Sequence, residues 1–172
     1  MILITTSRRP TRRVRSFCKD LAQVIPGAVK INRGKKSVYE VLAEAAQRGL
    51  PYVLIVETWK GNPGSMLFYR ASATDVKKPL AIFRVKGVKL QREIRKDGKI
   101  GKVERVVIES KEQTELTKFL SKIFEVSRDD EENKVVSITI SSSGEEFIMD
   151  FKIGGEEVGP RIKFKVLRLG SL

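Results

Sequence analysis

The sequence predicts an α/β fold of α+β-like character, a mixed sheet with helices packed against it. Three observations lead there. The chain has 172 residues, 41% of them apolar, enough for one compact domain or two small halves sharing a core. Apolar residues recur at three- and four-residue spacing in three segments. Eight or nine other segments read as strands, several of them separated by turn residues.

Ile2 to Thr6 reads as a short buried strand. Ser7-Arg8-Arg9-Pro10 is a loop, and Thr11 caps a first helix striped by Val14, Phe17, Cys18, Leu21, Val24 and Ile25. Pro26-Gly27 ends that helix. Ala28 to Asn32 follows as a strand, with Arg33-Gly34 as its turn. Ser37 and Glu40 form a capping box for a helix striped by Val38, Val41, Leu42 and Ala45, and Gly49 lies just past its end. Tyr52 to Thr58 is a continuous apolar run, as expected of a strand covered on both faces. Lys60 to Gly64 reads as a turn, and Met66 to Arg70 as the antiparallel return.

Composition shifts near Asp75 to Pro79, the expected division of a single domain, 1–172, into approximate halves 1–78 and 79–172. Leu80 to Ile94 and Lys102 to Glu109 are strand-like, and Asp97-Gly98 predicts a hairpin between them. Leu116, Phe119, Leu120, Ile123 and Phe124 mark a third helix, with Ser110 and Gln113 as its candidate capping box. An acidic loop, Asp129 to Asn133, precedes strands at Val135 to Ile140, Phe147 to Ile153 and Arg161 to Leu169, with turns at Ser143-Gly144 and Gly154-Gly155. No repeat is visible at the level of residue identity.

Charge is the strongest compositional signal. Thirty-four Lys and Arg against twenty-one Asp and Glu give a formal charge of +13, which attracts polyanions. The excess is concentrated. Residues 1–36 hold ten basic residues against Asp20 alone, and residues 77–105 hold eleven against Glu93, Asp97 and Glu104. Residues 109–132 are acidic. Arg12 and Arg13 fall in the first turn of a helix, where the dipole disfavours cations, at a cost of about a few tenths of a kcal/mol each if unpaired. A bound phosphate would reverse that sign, because free N–H groups and arginines would converge on it. The alternative is a solvated helix face; five arginines within eight residues with almost no acid favour a polyanion site.

In Phe83-Arg84-Val85-Lys86 and Ile162-Lys163-Phe164-Lys165-Val166, apolar and basic residues alternate, so one face turns inward and the other presents cations. Such a strand is equally a binding surface or an edge guarded against aggregation. Trp59 is read as part of the core, although stacking on a base is the alternative.

Several function classes lose support. Histidine is absent, which removes the commonest general base and a common zinc ligand. Asp129 to Glu132 has no paired carboxylates elsewhere, so no metal-binding set is expected, and nothing points to a catalytic set, a Lys- or Tyr-based site being the class the sequence leaves open. The Gly61 to Gly64 stretch lacks the P-loop pattern, so no nucleotide cofactor is expected. Cys18, the one cysteine, reads as a buried small hydrophobe and rules out an intrachain disulfide, in keeping with a cytoplasmic protein. No apolar run approaches a membrane span, and the first residues do not read as a signal peptide. Scarce amides beside abundant Lys, Arg and Glu are a bias of proteins from hot environments.

Ile4-Thr5-Thr6-Ser7-Arg8-Arg9-Pro10, Glu57-Thr58-Trp59-Lys60-Gly61-Asn62-Pro63-Gly64 and Gly159-Pro160-Arg161 together resemble the Brix-domain family, and more closely its short archaeal members. The resemblance covers nearly the whole chain. It implies two similar halves related by a pseudo-twofold, each similar to the anticodon-binding domain of class II aminoacyl-tRNA synthetases. It implies a role in ribosomal RNA processing and subunit assembly, with rRNA or pre-rRNA and assembly or ribosomal proteins as partners. It also raises Arg161, through its Gly-Pro-Arg motif, as an RNA contact. The chain is expected to carry almost none of the extensions common in eukaryotic members.

The resulting expectation is a non-enzymatic, RNA-binding ribosome-assembly factor. Its candidate RNA contacts are Arg8, Arg9, Arg12, Arg13, Arg15, Lys35, Lys36, Lys60 and Arg161. Two alternatives stand beside it: a scaffold that docks acidic or ribosomal proteins, with the acidic Glu125 to Glu132 segment as a second surface, and a tRNA-binding module.

Overall fold

Consecutive Val, Ile and Leu residues let β1 (Ile2–Thr6) and β3 (Tyr52–Trp59) be buried on both faces, and the two strands pair in parallel. The computed structural model describes residues 1–74, 78–96, 98–125 and 134–172. Between β1 and β3 the chain makes α1 (Arg12–Val24), the short β2 (Val29–Lys30) and α2 (Val38–Gln47). Thr11 caps α1, and Ser37 with Glu40 forms the expected capping box on α2. β2 lies parallel on the outer side of β1.

The chain leaves β3 through a two-residue turn at Lys60-Gly61, both at positive φ (49° and 81°), and returns as β4 (Asn62–Arg70). This turn is tighter than the expected Lys60 to Gly64 loop. Pro63 is tolerated in the strand because a bulge adjoins it: Glu57 faces Ser65 and Thr58 faces Pro63, which leaves Gly64 as the extra residue. β5 (Ala81–Lys89) pairs with β4, and α3 (Gln91–Ile94) follows it.

The C-terminal part runs β6 (Arg105–Glu109), α4 (Glu115–Ile123), β7 (Val135–Ser143), β8 (Glu146–Ile153), β9 (Glu156–Glu157) and β10 (Arg161–Leu169). The main path of the sheet is β2-β1-β3-β4-β5-β10-β8-β7-β6, with β9 paired to β8 off that path. Counted inward from β1 and from β6, the pairings read alike: parallel, antiparallel, antiparallel, meeting at the antiparallel β5–β10 seam.

Two expectations are corrected. The proposed hairpin between residues 80–94 and 102–109 does not form. β5 pairs with β4 and β10 while β6 pairs in parallel with β7, so this connection crosses the molecule. The cap of α4 is not Ser110 with Gln113 but Thr114, whose hydroxyl accepts from the Thr117 N–H at 3.3 Å while the Thr117 hydroxyl accepts from the Thr114 N–H at 2.9 Å. Ser110 instead closes its own local turn onto the Glu112 carbonyl. Asp75–Lys77, Asp97 and the acidic loop at 129–133 lie outside the described residues, as does most of the Glu125 to Glu132 segment.

One face of the whole sheet packs under α1 and α4, in a core running from Ile2 and Phe17 to Phe151 and Ile162. At the seam Phe83 stacks on Phe164 with ring centroids 4.7 Å apart, and Phe68 and Phe119 meet it at 5.0 and 6.4 Å. On the opposite face, in the N-terminal part, α2 sets Val41, Leu42 and Ala45 on Leu3, Val53, Ile55 and Tyr69.

Candidate nucleic-acid interface

The carboxyl ends of β1, β2 and β3 lead into Ser7–Thr11, Ile31–Ser37 and Lys60-Gly61, the three loops that hold most of the predicted basic residues. Hydrogen bonds tie these loops into one surface. Ser7 donates its N–H to the Val56 carbonyl at 2.9 Å, and the Thr11 hydroxyl reaches the Gly61 carbonyl at 2.7 Å. Arg33, only 6% exposed, donates from Nε to the Lys36 carbonyl at 2.7 Å and from a terminal nitrogen to the Thr6 carbonyl at 2.9 Å. It is a structural cation, pinning the second loop to the end of β1. Burial lowers its pKa, and the nearby Arg8 charge lowers it further.

Arg8, Arg9, Arg12, Arg15, Lys35 and Lys60 are exposed around this frame. Arg8 and Arg15 touch only backbone carbonyls, of Lys36 at 3.4 Å and Pro10 at 3.3 Å. Among the described residues none of these six cations pairs with a carboxylate. Lys36 is half-buried, bonded to the Asn32 carbonyl and 3.8 Å from Glu44. The amino ends of α1 and α2 open onto the same surface, so both helix dipoles add to its positive side chains; α1 has no acidic residue in its first turn, and α2 has Glu40, bound to Ser37.

Arg13 and Arg161 stand apart. Arg13 turns away from the loops and binds the Val88 carbonyl and the Glu93 carboxylate, both at 2.9 Å, which fastens α1 to the β5–α3 junction. Arg161 forms ion pairs with Glu157 at 2.5 Å and Asp150 at 3.3 Å, while Gly159 and Pro160 before it are buried. Burial raises the Asp150 pKa, and the hydrogen bond from Arg161 lowers that of Glu157. The sequence places both arginines with the others because charge patterning cannot tell a free guanidinium from one that is already paired.

Trp59 corrects the expectation of a core residue: it is 68% exposed, with the Lys60 ammonium 5.6 Å from its ring centroid. β3 runs past the edge of the core there, its buried stretch ending at Val56. A Cβ on Gly64 would lie 2.4 Å from the Trp59 Cβ, so the glycine lets the hairpin arms approach. The alternation of apolar residues with Lys and Arg on β5 and β10 leaves Arg84, Lys86 and Lys163 exposed, the last bound to Glu146 at 3.1 Å.

At the matching carboxyl ends of β6 and β7, the chain forms a cavity of about 680 Å³ beside the amino end of α4. Its polar lining mixes Glu109, Glu112 and Lys111 with Thr and Ser hydroxyls, so it lacks the excess of basic charge of the first surface. Among the described residues no group of three His, Cys, Asp or Glu could hold a metal ion, and no helix is long and apolar enough to cross a membrane.

No family model matches the chain. Curated relatives do: a probable Brix domain-containing ribosomal biogenesis protein of Pyrococcus horikoshii is 50% identical over 94 residues, 55% of this chain and 42% of the relative. Its counterpart in Aeropyrum pernix is 44% identical over 92 residues, 54% of this chain and 51% of the relative. These matches thus span about half the length of the curated relatives. The crystal structure of a probable ribosomal biogenesis protein from Aeropyrum pernix K1 aligns over 95% of this chain and 94% of its own, with 33% identity and a TM-score of 0.82. That of Mil, an archaeal Imp4-like protein, shares the fold at 23% identity and a TM-score of 0.65. With this topology and these relatives, the chain belongs to the Brix domain-containing ribosomal biogenesis proteins.

Proposed function

We propose that the chain is a non-catalytic ribosome-assembly factor that binds ribosomal RNA or its precursor, and acts in pre-rRNA processing, through the basic surface at the carboxyl ends of β1, β2 and β3. One observation carries the reading. Six exposed cations, Arg8, Arg9, Arg12, Arg15, Lys35 and Lys60, surround two helix amino ends and pair with no carboxylate among the described residues, while Glu40 at the start of α2 is taken up by its capping box with Ser37. In α/β sheets ligands settle outside the carboxyl ends of parallel strands, and an arginine-lined site of this kind favours phosphate. Exposed Trp59 beside Lys60 adds a ring on which an unpaired base can stack. Phosphate contacts position without reading sequence, so the target would be chosen by RNA shape and by protein partners. The reading is supported by the names of the relatives, which are ribosomal biogenesis proteins.

Ultraviolet crosslinking in cells, followed by sequencing of the attached RNA and mapping of the crosslinked peptides, tests it. A defined pre-rRNA region attached to peptides within residues 7–36 or 59–62 is the expected result. Enrichment of tRNA would replace it with the tRNA-module reading. Crosslinking no greater than that of an unrelated basic protein would overturn RNA binding and leave the surface to an acidic protein.

A further inference from the structure

The basic excess of residues 77–105 takes no part in the surface formed by the three loops. Much of it converges elsewhere. Between α1 and α3 lies an open groove of about 350 Å³, lined by Lys19 of α1, Arg92 of α3, and Arg95, Lys96 and Lys99 just beyond it. Four of these cations are exposed and Arg95 is half-buried. Among the described residues none of the five pairs with a carboxylate. The nearby acids are already engaged. Asp20 accepts the Gln91 N–H at 2.9 Å, and Glu93 accepts from the Leu90 N–H and from Arg13, both at 2.9 Å. Asp97 is the one other acid in residues 91–100, and the five cations outnumber it and Asp20 together.

α1 joins this groove to the loops. Its outward stripe runs Arg12, Arg15, Ser16, Lys19 and Gln23, at three- and four-residue spacing. Lys19 stands about 10 Å along the helix axis from Arg12. Ser16, between them, accepts a hydrogen bond from Arg92 at 3.1 Å, so α3 extends the stripe sideways.

The Gly159-Pro160-Arg161 segment supports the groove from behind. Arg161 is taken up by Glu157 and Asp150, but Gly159 packs directly on α3. Its φ is 77°, and a Cβ there would lie 2.9 Å from Ile94 Cδ1 and 3.3 Å from Gln91 Cα. The Gln91 side-chain amide donates to the Gly159 and Asp20 carbonyls, each at 3.2 Å, which clasps α3 between this segment and α1.

We propose that the α1–α3 groove is a second phosphate site, for an RNA backbone that passes from the loops along α1, and that Gly159 is its positioning residue because it seats α3. Arginine at 92 and 95 suits two-pronged contact with phosphate, and the lysines add charge around it. The Gly-Pro-Arg segment then serves RNA through the placement of α3, while Arg161 stays with its carboxylates. The choice of RNA as the polyanion rests on the reading of the loop surface; the groove rests on its own cations.

The whole purified chain and a labelled single-stranded RNA of about 20 nucleotides, longer than the roughly 4–16 that a single-strand-binding fold covers, provide the test. Joint replacement of Arg92, Lys96 and Lys99 by Gln should lower the slope of log affinity against log salt by about 2, which is three phosphate contacts at about 0.7 each. With 4-thiouridine in the same RNA, crosslinks are expected in two peptides, one within residues 7–15 and one within 92–99. Gly159→Ala and, separately, Gln91→Ala change no charge, yet each should cut crosslinking at 92–99 severalfold and leave that at 7–15 as it is. Either variant serves if the other fails to fold. Crosslinks at 7–15 alone, with an unchanged slope in the triple variant, would overturn the groove and spare the loop surface. Equal loss at both peptides in both variants would overturn the positioning role, since general loss of structure has that effect. An intact chain that binds no RNA would overturn groove and loop surface together. Polyglutamate captured by the groove in place of RNA would overturn the proposal in favour of an acidic protein.

Discussion

Arg12 and Arg13 adjoin in the chain and differ in duty, which makes them the sharpest test of the interface. Arg12 is exposed and pairs with no carboxylate among the described residues, whereas the Arg13 guanidinium joins α1 to Glu93 and to the Val88 carbonyl, both at 2.9 Å. Each phosphate neutralised contributes about 0.7 to the slope of log affinity against log salt for single-stranded nucleic acid, and about 0.9 for a duplex. Arg12→Gln should lower that slope by about one such step, and joint replacement of Arg8, Arg9, Arg12 and Arg15 by Gln by about four steps, or about 3 in the slope itself. Neither should move the melting temperature by more than about 1–2 °C, since no tertiary ion pair is lost. Arg13→Gln should do the reverse. A half-exposed ion pair is worth about 0–1 kcal/mol and a charged hydrogen bond to a carbonyl about 1.5, so the loss is about 1.5–2.5 kcal/mol. In a chain of this length that is about 3–10 °C. Fluorescence anisotropy with a pre-rRNA fragment between about 50 and 200 mM salt, beside calorimetric melting, separates the two effects. Equal slope changes for Arg12→Gln and Arg13→Gln, or an unchanged slope in the fourfold variant, would refute the assignment.

Three other outcomes follow from the structure. Phe83→Ala empties the middle of the Phe68–Phe119–Phe164 cluster and should cost about 3–5 kcal/mol by urea unfolding, with both parts of the sheet lost in one transition. The hydrogen bond from Arg13, then that from the Leu90 N–H, holds the Glu93 carboxyl below its ordinary value of 4.5. Its stabilising contribution is therefore present above that value and lost as pH falls through the lower folded one, so Glu93→Gln should flatten stability against pH in the acid range. Burial pushes the Cys18 thiol up to about 12, so a thiol reagent at neutral pH should label it only at the rate of unfolding.

The elements with a strong local signal were legible in the sequence. The stripe from Val14 to Val24, the Ser37–Glu40 box and the doubly buried run from Tyr52 all owe their form to neighbours within a turn or two. Pairing across the molecule was not legible. Asp97-Gly98 carries hairpin chemistry, but β5 is claimed by β4 and β10, and sheet partners chosen over long separations override a local turn signal. The basic surface was legible as a cluster of charge around residues 8–36, and Lys60 joins it through the Thr11–Gly61 contact. The pairing of Arg13 and Arg161 was hidden, because Glu93 is 80 positions from Arg13 and a surface-like pattern surrounds Arg161. The Trp59 error has the same origin: a hydrophobic run does not reveal where its strand outgrows the core.

The position of β10 has a consequence for how the protein is made. The strand farthest along the chain is inserted at the middle of the sheet, between β5 and β8. Until residues 161–169 leave the ribosome, a nascent chain can assemble two separate sheets, each ending in an unprotected inner edge. Those edges carry the aromatic residues Phe83 and Phe147 that later pack against Phe164. A translational stop before β10 would thus release a species with two adhesive edges, prone to join other chains rather than itself.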